Sequence, residues 1–470
     1  MRLYLTTLNP TDSVTGGFLP AAAALGWDVT ILTDQPDRYA GYPGCEVVMA
    51  DVRDARAVID AVAAHHPPGV IFSNSDHLQA SAALAAEYFG LPGKDWRACV
   101  TAKNKALTRR ALAAVEPVRS VRIPPGGDLP RDLPYPVVVK PALGVASEDV
   151  VLVDGPDALR AAVAEIRERR PAEVLVAEEF LDGPVRTLEI LGDGAGDGRG
   201  GYSGGRHSGG RHGASRQSGG RAGGGRHGGG RHGGGARRVL GGFATTLGPP
   251  PRFIEERLDW RPPDPGHLPH LSAALDAAGV GFGVCHTEYA VTRDGPRIIE
   301  INYRLIGDTC DFLLADLLGA PLHEWILRIH AGEPLSTFDF DALDFDAFDV
   351  GGPRPAYGSV VSLVAERSGT VTAAPPDLPA PDLSPPDFSA PGLPAPNFSA
   401  PGLSGPGLPA AGAGDGVRLW HRALRQVGDH VEVTGTNRDY LGLLRAVGPD
   451  RERVDAAVDA FRKEHPWVLA

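Results

Sequence analysis

The stretch from residue 283 to residue 308, GVCHTEYAVTRDGPRIIEINYRLIGD, decides how the rest of the chain is interpreted. Apolar and polar residues alternate on both sides of a turn at residues 293–295, and this pattern predicts a β-hairpin. Side chains two residues apart share one face of a strand, so Glu300, Asn302 and Arg304 are expected to point the same way. The hairpin would therefore gather charged and amide side chains on one face.

The register of this hairpin decides whether two carboxylates meet. A two-residue turn would place Glu288 opposite Ile301. We predict instead a three-residue loop with a left-handed Gly295, which brings Glu288 opposite Glu300. Ile299 and Ile301 are then expected to face the core, because they alternate with the polar residues of the second strand.

Two facing carboxylates and a nearby amide form a candidate metal site. Like charges about 4 Å apart repel by roughly 4 kcal/mol at an effective dielectric near 20, and a bound cation would relieve that repulsion. Glu288, Glu300 and Asn302 offer only hard oxygen ligands, which suit magnesium or manganese rather than zinc. The alternative is a surface hairpin whose acids face water.

Composition indicates a globular protein of several domains. The chain has 470 residues, of which 42% are hydrophobic, and a domain commonly takes ~150 residues. We find no run of about eighteen apolar residues that would predict a membrane span, and no apolar core of a signal peptide. The four cysteines lack CxxC spacing, so we expect reduced thiols in a cytoplasmic protein. The net charge of −12 argues against a general nucleic-acid surface.

The N-terminal residues predict a parallel α/β sheet. Strand patterns at residues 2–8, 28–33 and 69–75 alternate with helical patterns, which is typical of a doubly wound, Rossmann-like sheet. The loop after the first strand has no GxGxxG motif, so we predict no dinucleotide site there. Residues 101–115 predict one amphipathic helix with a basic polar face.

Two further strands end in charged residues. The apolar strand YPVVVK ends at Lys140, beside a loop that contains Ser147, and a lysine in that position would hold a phosphate as a point charge. The next predicted strand ends at Glu178 and Glu179, and the strand after it carries Glu189.

Two segments repeat with a period of five residues. Residues 195–236 are rich in Gly, Arg and His, and residues 375–410 place a proline at every fifth position. Neither composition can bury a core, so we expect a disordered insertion and a polyproline-like linker. An Arg/Gly-rich arm could bind nucleic acid, but one period in two unrelated compositions favours expansion of a repeated unit. The acidic run at residues 338–350 is expected to be a solvated loop.

The motifs KNKALTRRAL, VVVKP, AEEFLDG and EINYR, taken in this order, resemble the ATP-grasp superfamily and specifically its carboxylate–amine ligase branch. The N-terminal NPTDS is also similar to ATP-grasp proteins of siderophore biosynthesis. The resemblance implies an α/β and α+β fold, in which a Rossmann-like domain precedes two lobes that hold ATP between them. The implied units are a Rossmann-like pre-ATP-grasp domain at 1–97, a small lobe at 98–184, a large lobe at 185–335, and a C-terminal region at 336–470 with a small α/β element at 417–470.

The resemblance also implies a role for each matching residue. The implied nucleotide contacts are Lys105 and Lys140 for the phosphates, Ser147 in the loop that covers them, Glu178, Glu179 and Leu181 in the adenine hinge, and Glu189 for the ribose. The implied magnesium ligands are Glu288, Glu300 and Asn302, and the implied catalytic residues are Arg304 and Lys140. Asn104 stands where the family usually has aspartate, and Val185 stands where it usually has the ribose-binding glutamate.

Phosphoryl transfer needs these residue types, because it is catalysed mainly by positioning and by stabilising negative charge. The resemblance therefore implies an ATP- and Mg²⁺- or Mn²⁺-dependent ligase that activates a small carboxylic acid and couples it to an amine, with an amino acid as one partner. Other interpretations stay open. One is a thiol or bicarbonate acceptor in place of the amine, and the other is a non-catalytic nucleotide-binding protein with an Arg/Gly-rich nucleic-acid arm. The resemblance also leaves a homodimer open.

Overall fold

The computed structural model describes residues 1–42, 44–194, 237–340, 356–378 and 416–470. The predictions for residues 195–236, and for most of 338–350 and 375–410, lie outside these described residues. Within the described ranges, no helix is both long and apolar enough to cross a membrane.

The N-terminal residues form a parallel sheet that is buried on both faces. Its strands are β1 (Arg2–Thr6), β2 (Asp28–Thr33), β3 (Cys45–Met49) and β4 (Val70–Phe72), and its helices are α1 (Leu19–Ala24), α2 (Ala55–Ala63) and α3 (Gln79–Tyr88). The strand order is β3-β2-β1-β4, with every neighbouring pair parallel. Alternate residues of β1 and β2 pack in two separate hydrophobic clusters, as a sheet covered on both faces requires. The predicted parallel sheet is confirmed, although the sequence pattern missed β3.

Two short helices, α4 (Trp96–Lys103) and α5 (Lys105–Leu112), replace the single helix predicted for residues 101–115. The helix breaks at Asn104, whose backbone is extended and whose side chain accepts hydrogen bonds from two N–H groups of the next turn. Asparagine suits this position because a helix start leaves its first N–H groups without partners. The cap places Lys105 in the first turn of α5, where it is buried rather than solvated.

A small antiparallel sheet follows. Its strands are β5 (Ser120–Ile123), β6 (Val137–Pro141), β7 (Val151–Val153) and β8 (Leu175–Glu179), and α6 (Pro156–Arg169) packs against it. The strand order is β5-β8-β6-β7. Val137 and Val139 of β6 enter the core with α6. Because side chains alternate along a strand, Val138 and Lys140 lie on the opposite face, where both line a cleft.

A nine-stranded antiparallel sheet is the largest sheet of the described residues. Its strands are β9 (Val185–Asp193), β10 (Arg237–Gly241), β11 (Phe243–Leu247), β12 (Glu255–Trp260), β13 (Phe282–Thr292), β14 (Gly295–Asn302), β15 (Tyr357–Val364), β17 (Arg418–Ala423) and β19 (Tyr440–Gly448). Its order is β14-β13-β9-β11-β12-β15-β19-β17, and β10 pairs with β9. A separate small sheet contains β16 (Gly369–Ala373), β18 (His430–Val431) and β20 (Val468–Leu469), and the remaining helices are α7 (Leu268–Ala278), α8 (Cys310–Leu318), α9 (Leu322–His330) and α10 (Arg451–Glu464).

The C-terminal strands correct one prediction. The sequence assigned residues 417–470 to a small element of their own. In the structure β15 pairs with β12 on one side and with β19 on the other, and β19 pairs with β17. The C-terminal strands β17 and β19 therefore extend the large sheet through β15.

The predicted hairpin forms at the edge of the large sheet as β13 and β14. It pairs Glu288 with Glu300, as predicted. The predicted turn is wrong, because Thr292 pairs with Gly295 across a two-residue turn. Gly295 has a φ of +98°, a region that glycine adopts readily.

A β-bulge, rather than a three-residue loop, produces the register that pairs Glu288 with Glu300. The pairing shifts by one residue between Glu288 and Tyr289, which leaves Ile299 as the extra residue of β14. A bulge of this kind re-aims the side chains that follow it. Ile299 consequently lines the cleft rather than the core. Ile298 and Ile301 are the buried isoleucines of this strand.

Two hydrophobic clusters hold the hairpin and the sheets in place. One joins the parallel sheet to the large sheet through α8 and α9. The other packs α4, α5 and α7 against β9, β13 and β14. The second cluster fixes the position of α5 relative to the hairpin, so Lys105 and Glu300 are brought together by packing.

Candidate active site

Two adjoining cavities lie where the small sheet, the hairpin and the parallel sheet meet. The first has a volume of about 310 Å³ and the second of about 370 Å³. The residues that line both cavities are Val145, Ala146, Ser147, Glu255, Glu288 and Glu300. The first three belong to residues 142–149, which we call the covering loop.

Lys105 reaches the first cavity from the start of α5. Its Nζ donates to Glu300 Oε1 at 2.7 Å and to the carbonyl oxygen of Gly144 in the covering loop at 3.0 Å. Burial lowers the pKa of Lys105, but the charge and the hydrogen bond of Glu300 outweigh burial, so the pKa is raised. Lys105 is therefore a fixed positive charge beside the hairpin.

Lys140 and Arg109 hold one carboxylate from two sides. Lys140 Nζ lies 2.6 Å from Glu178 Oε2, and Arg109 Nε donates to Glu178 Oε1 at 3.0 Å. Burial raises the pKa of Glu178, but the charges of Lys140 and Arg109 outweigh it and lower the pKa to about 2. All three residues line the first cavity, where the network keeps the lysine in place.

The predicted hinge borders the apolar end of the first cavity. Phe180 and Leu181 line this end. The N–H of Glu179 donates to the carbonyl oxygen of Arg119 at 2.8 Å, so this donor is already used and is not free for a base. Other apolar side chains of this wall are Val138, Leu247, Phe253 and Ile299. Such an apolar slot fits a flat aromatic ring.

Glu288, Glu300 and Asn302 all line the second cavity. Asn302 Nδ2 donates to Glu288 Oε1 at 3.1 Å, while Glu300 is neutralised by Lys105. Among the described residues, no three His, Cys, Asp or Glu side chains are grouped as a metal cluster. The donor set of two carboxylates and one amide oxygen nevertheless suits magnesium, provided that Asn302 turns its oxygen towards the ion.

His286 stands between two carboxylates beside this set. Its Nδ1 lies 2.7 Å from Glu189 Oε1 and its Nε2 lies 3.5 Å from Glu288 Oε1. Burial lowers the pKa of His286, but the charge of Glu189 outweighs burial, and with Glu288 it raises the pKa to about 10. Burial raises the pKa of Glu288, but the hydrogen bond and charge of His286 outweigh it, so that pKa is lowered. The histidine is therefore a cation that keeps Glu288 ionised.

Glu189 is a correction to the sequence prediction. Its side chain is fully buried and is not among the residues that line either cavity. The pairing of β9 with β13 places Glu189 directly beside His286. Without exposed surface it cannot bind a ribose, so the predicted ribose contact is wrong, and Glu189 orients His286 instead.

The covering loop separates the two cavities. Ala146, Ser147 and Asp149 have φ values of 56°, 54° and 56°, a region that residues other than glycine adopt only at a cost. Contacts with neighbouring segments hold this shape. Among them, Asp149 forms ion pairs with Arg169 at 2.7 Å and with Arg170 at 2.6 Å. Ser147, which was predicted to contact phosphate, therefore occupies a strained position between the cavities.

Arg304 lines the second cavity and is anchored by Asp76. Arg304 Nε lies 3.0 Å from Asp76 Oδ1, and Arg304 Nη1 donates to the carbonyl oxygen of Leu305 at 2.9 Å. Burial raises the pKa of Asp76, but the charge of Arg304 outweighs it, so the pKa is lowered. Asp76 was missed from the sequence. Its position just after β4, at the carboxyl end of a parallel sheet, is the available signal.

Two further acids line the second cavity and were not among the predicted nucleotide, metal or catalytic residues. Glu255 begins β12 and lines both cavities, and Asp308 follows Arg304 along the chain. Burial, followed by the negative charges of Glu288 and Asp308, raises the pKa of Glu255 to about 8. Asp308 is exposed to the cavity, but the protein around it still limits its hydration and raises its pKa. A positive charge placed in the second cavity would relieve the repulsion among Glu255, Glu288 and Asp308.

The chain is similar to several solved structures of ligases and synthetases. The L-amino acid ligase from Bacillus licheniformis superimposes with a TM-score of 0.69 at 19% sequence identity, over 100% of this chain and 98% of that one. The phosphoribosylglycinamide synthetase from Anaerococcus prevotii gives a TM-score of 0.60 at 12% identity, over 100% and 99% of the two chains. The N5-carboxyaminoimidazole ribonucleotide synthetase from Thermotoga maritima gives 0.57 at 13% identity, over 100% and 99%.

Sequence similarity to curated proteins is partial. The uncharacterized protein y4rH of Sinorhizobium fredii is 26% identical over 253 residues, which cover 51% of this chain and 44% of that protein. The ATP-grasp enzyme fsqD of Aspergillus fumigatus is 48% identical over 59 residues, 13% of this chain and 10% of that protein. This chain thus spans less than half the length of either relative. No protein-family model matches it.

Proposed function

The chain has the ATP-grasp fold, and from this premise we propose that it is an ATP- and magnesium-dependent ligase that joins a small carboxylic acid to an amine. The resemblance found in the sequence is confirmed at the level of the fold. One observation supports the proposal more than any other. Two lysines and two facing glutamates lie around the first cavity, and an arginine lines the second cavity beside it.

This arrangement suits ATP. The apolar end of the first cavity would take the adenine, and Lys140 and Lys105 would meet the phosphates. Both lysines are buried and held by carboxylates, so little reorganisation is needed to receive an anion. Ser147 and the covering loop would lie over the phosphates and keep water away from them.

The hairpin would hold the magnesium. Glu288, Glu300 and Asn302 would be its ligands, and His286 would keep Glu288 in its charged form. When bound, the ion would neutralise phosphate charge during transfer. Lys105 neutralises Glu300 in this arrangement and would pair with a phosphate instead once the ion is present.

The proposed reaction has two steps. A carboxylate oxygen of the acid attacks the γ-phosphorus of ATP, the bond from that phosphorus to the bridging oxygen breaks, and ADP leaves. The acid is then an acyl phosphate beside Arg304. The amine nitrogen attacks the acyl carbon, inorganic phosphate leaves, and the nitrogen loses a proton. Arg304 and Lys140 would stabilise the negative charge that spreads over the phosphoryl oxygens.

The acids of the second cavity support an amine as the acceptor. Glu255 and Asp308 would attract an ammonium group, and a carboxyl with a pKa near 8 is suited to accept the proton that the amine releases. A bicarbonate acceptor would instead add a negative charge beside Glu288 and Asp308, whose charges already raise the pKa of Glu255. The charge of the second cavity therefore favours an amine, and an amino acid would also offer a carboxylate to Arg304.

A screen for ADP release tests the proposal. The protein is incubated with ATP and magnesium, and with pairs drawn from small acids and amines, including amino acids; thiols and bicarbonate serve as alternative acceptors. We expect ADP release to require one acid and one amine, with an amide detected by mass spectrometry. ADP release that depends on bicarbonate or a thiol, and not on any amine, would contradict the assignment of the acceptor.

Glu255→Gln is expected to stabilise the protein at alkaline pH. The folded protein raises the pKa of Glu255 from 4.5 to about 8, so folding favours the protonated acid. That stabilisation is complete below the unfolded pKa and disappears as pH rises through about 8, whereas glutamine has no such loss. The variant should therefore melt at the same temperature as wild type near pH 5 and above it at pH 8 to 9. Parallel melting curves in magnesium-free buffer measure this, and an unchanged difference across the range would contradict the raised pKa of Glu255.

Deletion of residues 195–236 is expected to leave turnover unchanged. No residue of the proposed site lies in that insertion, and β9 and β10, which flank it, already pair with each other. ADP release and amide yield of the deletion variant should match wild type within a factor of about two, because changes away from a packed or functional feature usually alter stability by no more than about 0.5 kcal/mol. Loss of an RNA-binding function, with no ligase activity in either protein, would favour the nucleic-acid-arm alternative.

A further inference from the structure

We infer that Asn437 is a positioning residue that joins the covering loop to the second cavity. It lies in residues 432–439, which precede β19 and which we call the C-terminal loop. This inference rests on the proposed function only for its catalytic consequence. Its structural part concerns how the covering loop is held.

Asn437 makes contacts to two different parts of the site. Its backbone N–H donates to the carbonyl oxygen of Ala146 in the covering loop at 3.2 Å. Its side-chain Oδ1 accepts a hydrogen bond from the N–H of Glu255 at 3.1 Å. Asn437 also lines the second cavity. One residue thus connects the loop over the first cavity, the start of β12 and the wall of the second cavity.

The C-terminal loop is a rigid support for these contacts. Asp439 is fully buried, and its carboxylate accepts hydrogen bonds from the N–H of Thr434 at 2.9 Å and from the N–H of Gly435 at 2.7 Å. Thr436 forms a reciprocal cap with Asp439 at the start of the short 3₁₀ helix Asn437–Asp439. Charge-assisted bonds of this kind are strong, so the loop keeps its shape without help from the covering loop.

An ion pair strengthens the same junction. Arg438 pairs with Glu148 of the covering loop, and Glu148 also lies 2.5 Å from Arg170 of the segment after α6. Glu148, near the end of the covering loop, is therefore held from two sides, by Arg438 of the C-terminal loop and by Arg170 after α6. Ala146 is one of the residues with a positive φ, and Asn437 binds its carbonyl oxygen. The contact thus falls on a strained position, where an external partner is needed to maintain the conformation.

Occupation of the second cavity and closure of the covering loop are coupled through this residue. A ligand in the second cavity would contact the wall that Asn437 forms, and Asn437 in turn holds the loop over the phosphates. The coupling ensures that the acyl phosphate is shielded from water while the acceptor is being placed. Without it, part of the acyl phosphate would be hydrolysed, and more ADP would be released than amide formed.

Two variants at one position separate the contacts. Asn437→Ala removes the bond to Glu255 and keeps the backbone donor to Ala146. Asn437→Pro removes both, and proline is tolerated at the first position of a helix. Arg438→Ala removes the ion pair to Glu148 at an exposed position. This variant tests the same junction if the proline variant does not fold. Arg453→Ala is the matched control, because Arg453 is an exposed residue of α10 whose side chain pairs with Asp450 of the same helix start.

The first readout needs no substrate. A glutamyl-specific protease cuts after Glu148 only when the covering loop opens, and mass spectrometry follows that cut relative to cuts at other glutamates. We expect the cut to be about two- to tenfold faster in Asn437→Pro and Arg438→Ala, the change in an opening equilibrium that follows the loss of one contact. The protease should cut the Arg453→Ala control after Glu148 at the wild-type rate. Equal rates in wild type and all four variants would overturn the inference.

The second readout is the ratio of ADP released to amide formed, for whichever acid and amine pair supports turnover. We expect a ratio near one for wild type and Arg453→Ala, and an increase of about two- to tenfold for Asn437→Pro. A merely structural role would lower the melting temperature and leave both the ratio and the cut after Glu148 unchanged. Failure of wild type to release ADP with any pair would contradict the proposed function, while the protease result would still decide the structural part.

Discussion

Glu300→Gln is expected to abolish ADP release while leaving the fold intact. Glu300 is the only one of the proposed ligands that also binds Lys105 among the hydrogen bonds of the described residues, so its charge serves both the metal and the lysine. Glutamine keeps the shape of the side chain and removes that charge. Loss of a group that stabilises phosphoryl charge commonly costs about 100- to 1,000-fold in rate, and loss of the ion itself would cost more.

The measurement is ADP release at saturating ATP over a range of magnesium concentrations. Asp294→Asn is the matched control, because Asp294 lies at the exposed turn of the same hairpin and makes no contact with either cavity. It should keep wild-type activity. Activity of Glu300→Gln within a few-fold of wild type, with an unchanged magnesium requirement, would show that Glu300 is not a metal ligand.

Arg304→Lys is expected to lower the rate of ADP formation by roughly tenfold or more. The arginine uses Nε for Asp76 and Nη1 for the carbonyl oxygen of Leu305, and its planar fork still leaves donors for a phosphoryl oxygen. A lysine has one compact ammonium group and cannot satisfy the anchor and the substrate together. The loss should appear mainly in kcat, because the contact strengthens as charge develops on the transferred group.

Arg293→Lys is the control for this variant, since Arg293 lies at the turn of the hairpin with a side chain that is 93% exposed. Its kcat and KM should equal those of wild type. Full activity of Arg304→Lys would assign Arg304 a structural role, as the partner that neutralises Asp76. Melting curves of both variants show whether a loss of activity arises from a loss of folded protein.

The fold and the centre of the site were predictable from local pattern. Alternation of apolar residues predicts the strands, and the pairing of Glu288 with Glu300 is confirmed. The route to that pairing was not predictable. A three-residue loop and a two-residue turn with a bulge give the same register at Glu288, and only contacts from neighbouring segments choose between them. The same choice moved Ile299 from the core to the cleft.

The residues that were missed are brought to the site by tertiary packing. Glu255, Asp76 and Asn437 lie far apart in the sequence, and each sits in a segment that looks ordinary by itself. They meet because the large sheet extends through β15 and β19 and because the parallel sheet ends beside the hairpin. The prediction of a ribose contact for Glu189 is wrong because of strand pairing rather than a missed segment. Its strand was correctly predicted, but the register with β13 turns it towards His286.

Transfer of an isotopic label tests the central claim most directly. The acid is labelled with ¹⁸O in its carboxylate and incubated with the protein, ATP, magnesium and the amine. If an acyl phosphate forms, one carboxylate oxygen bonds to the γ-phosphorus and leaves with it. The account therefore predicts one ¹⁸O atom in the inorganic phosphate for every amide formed. Amide formation with unlabelled phosphate, or ADP release that no acid or amine stimulates, would contradict it.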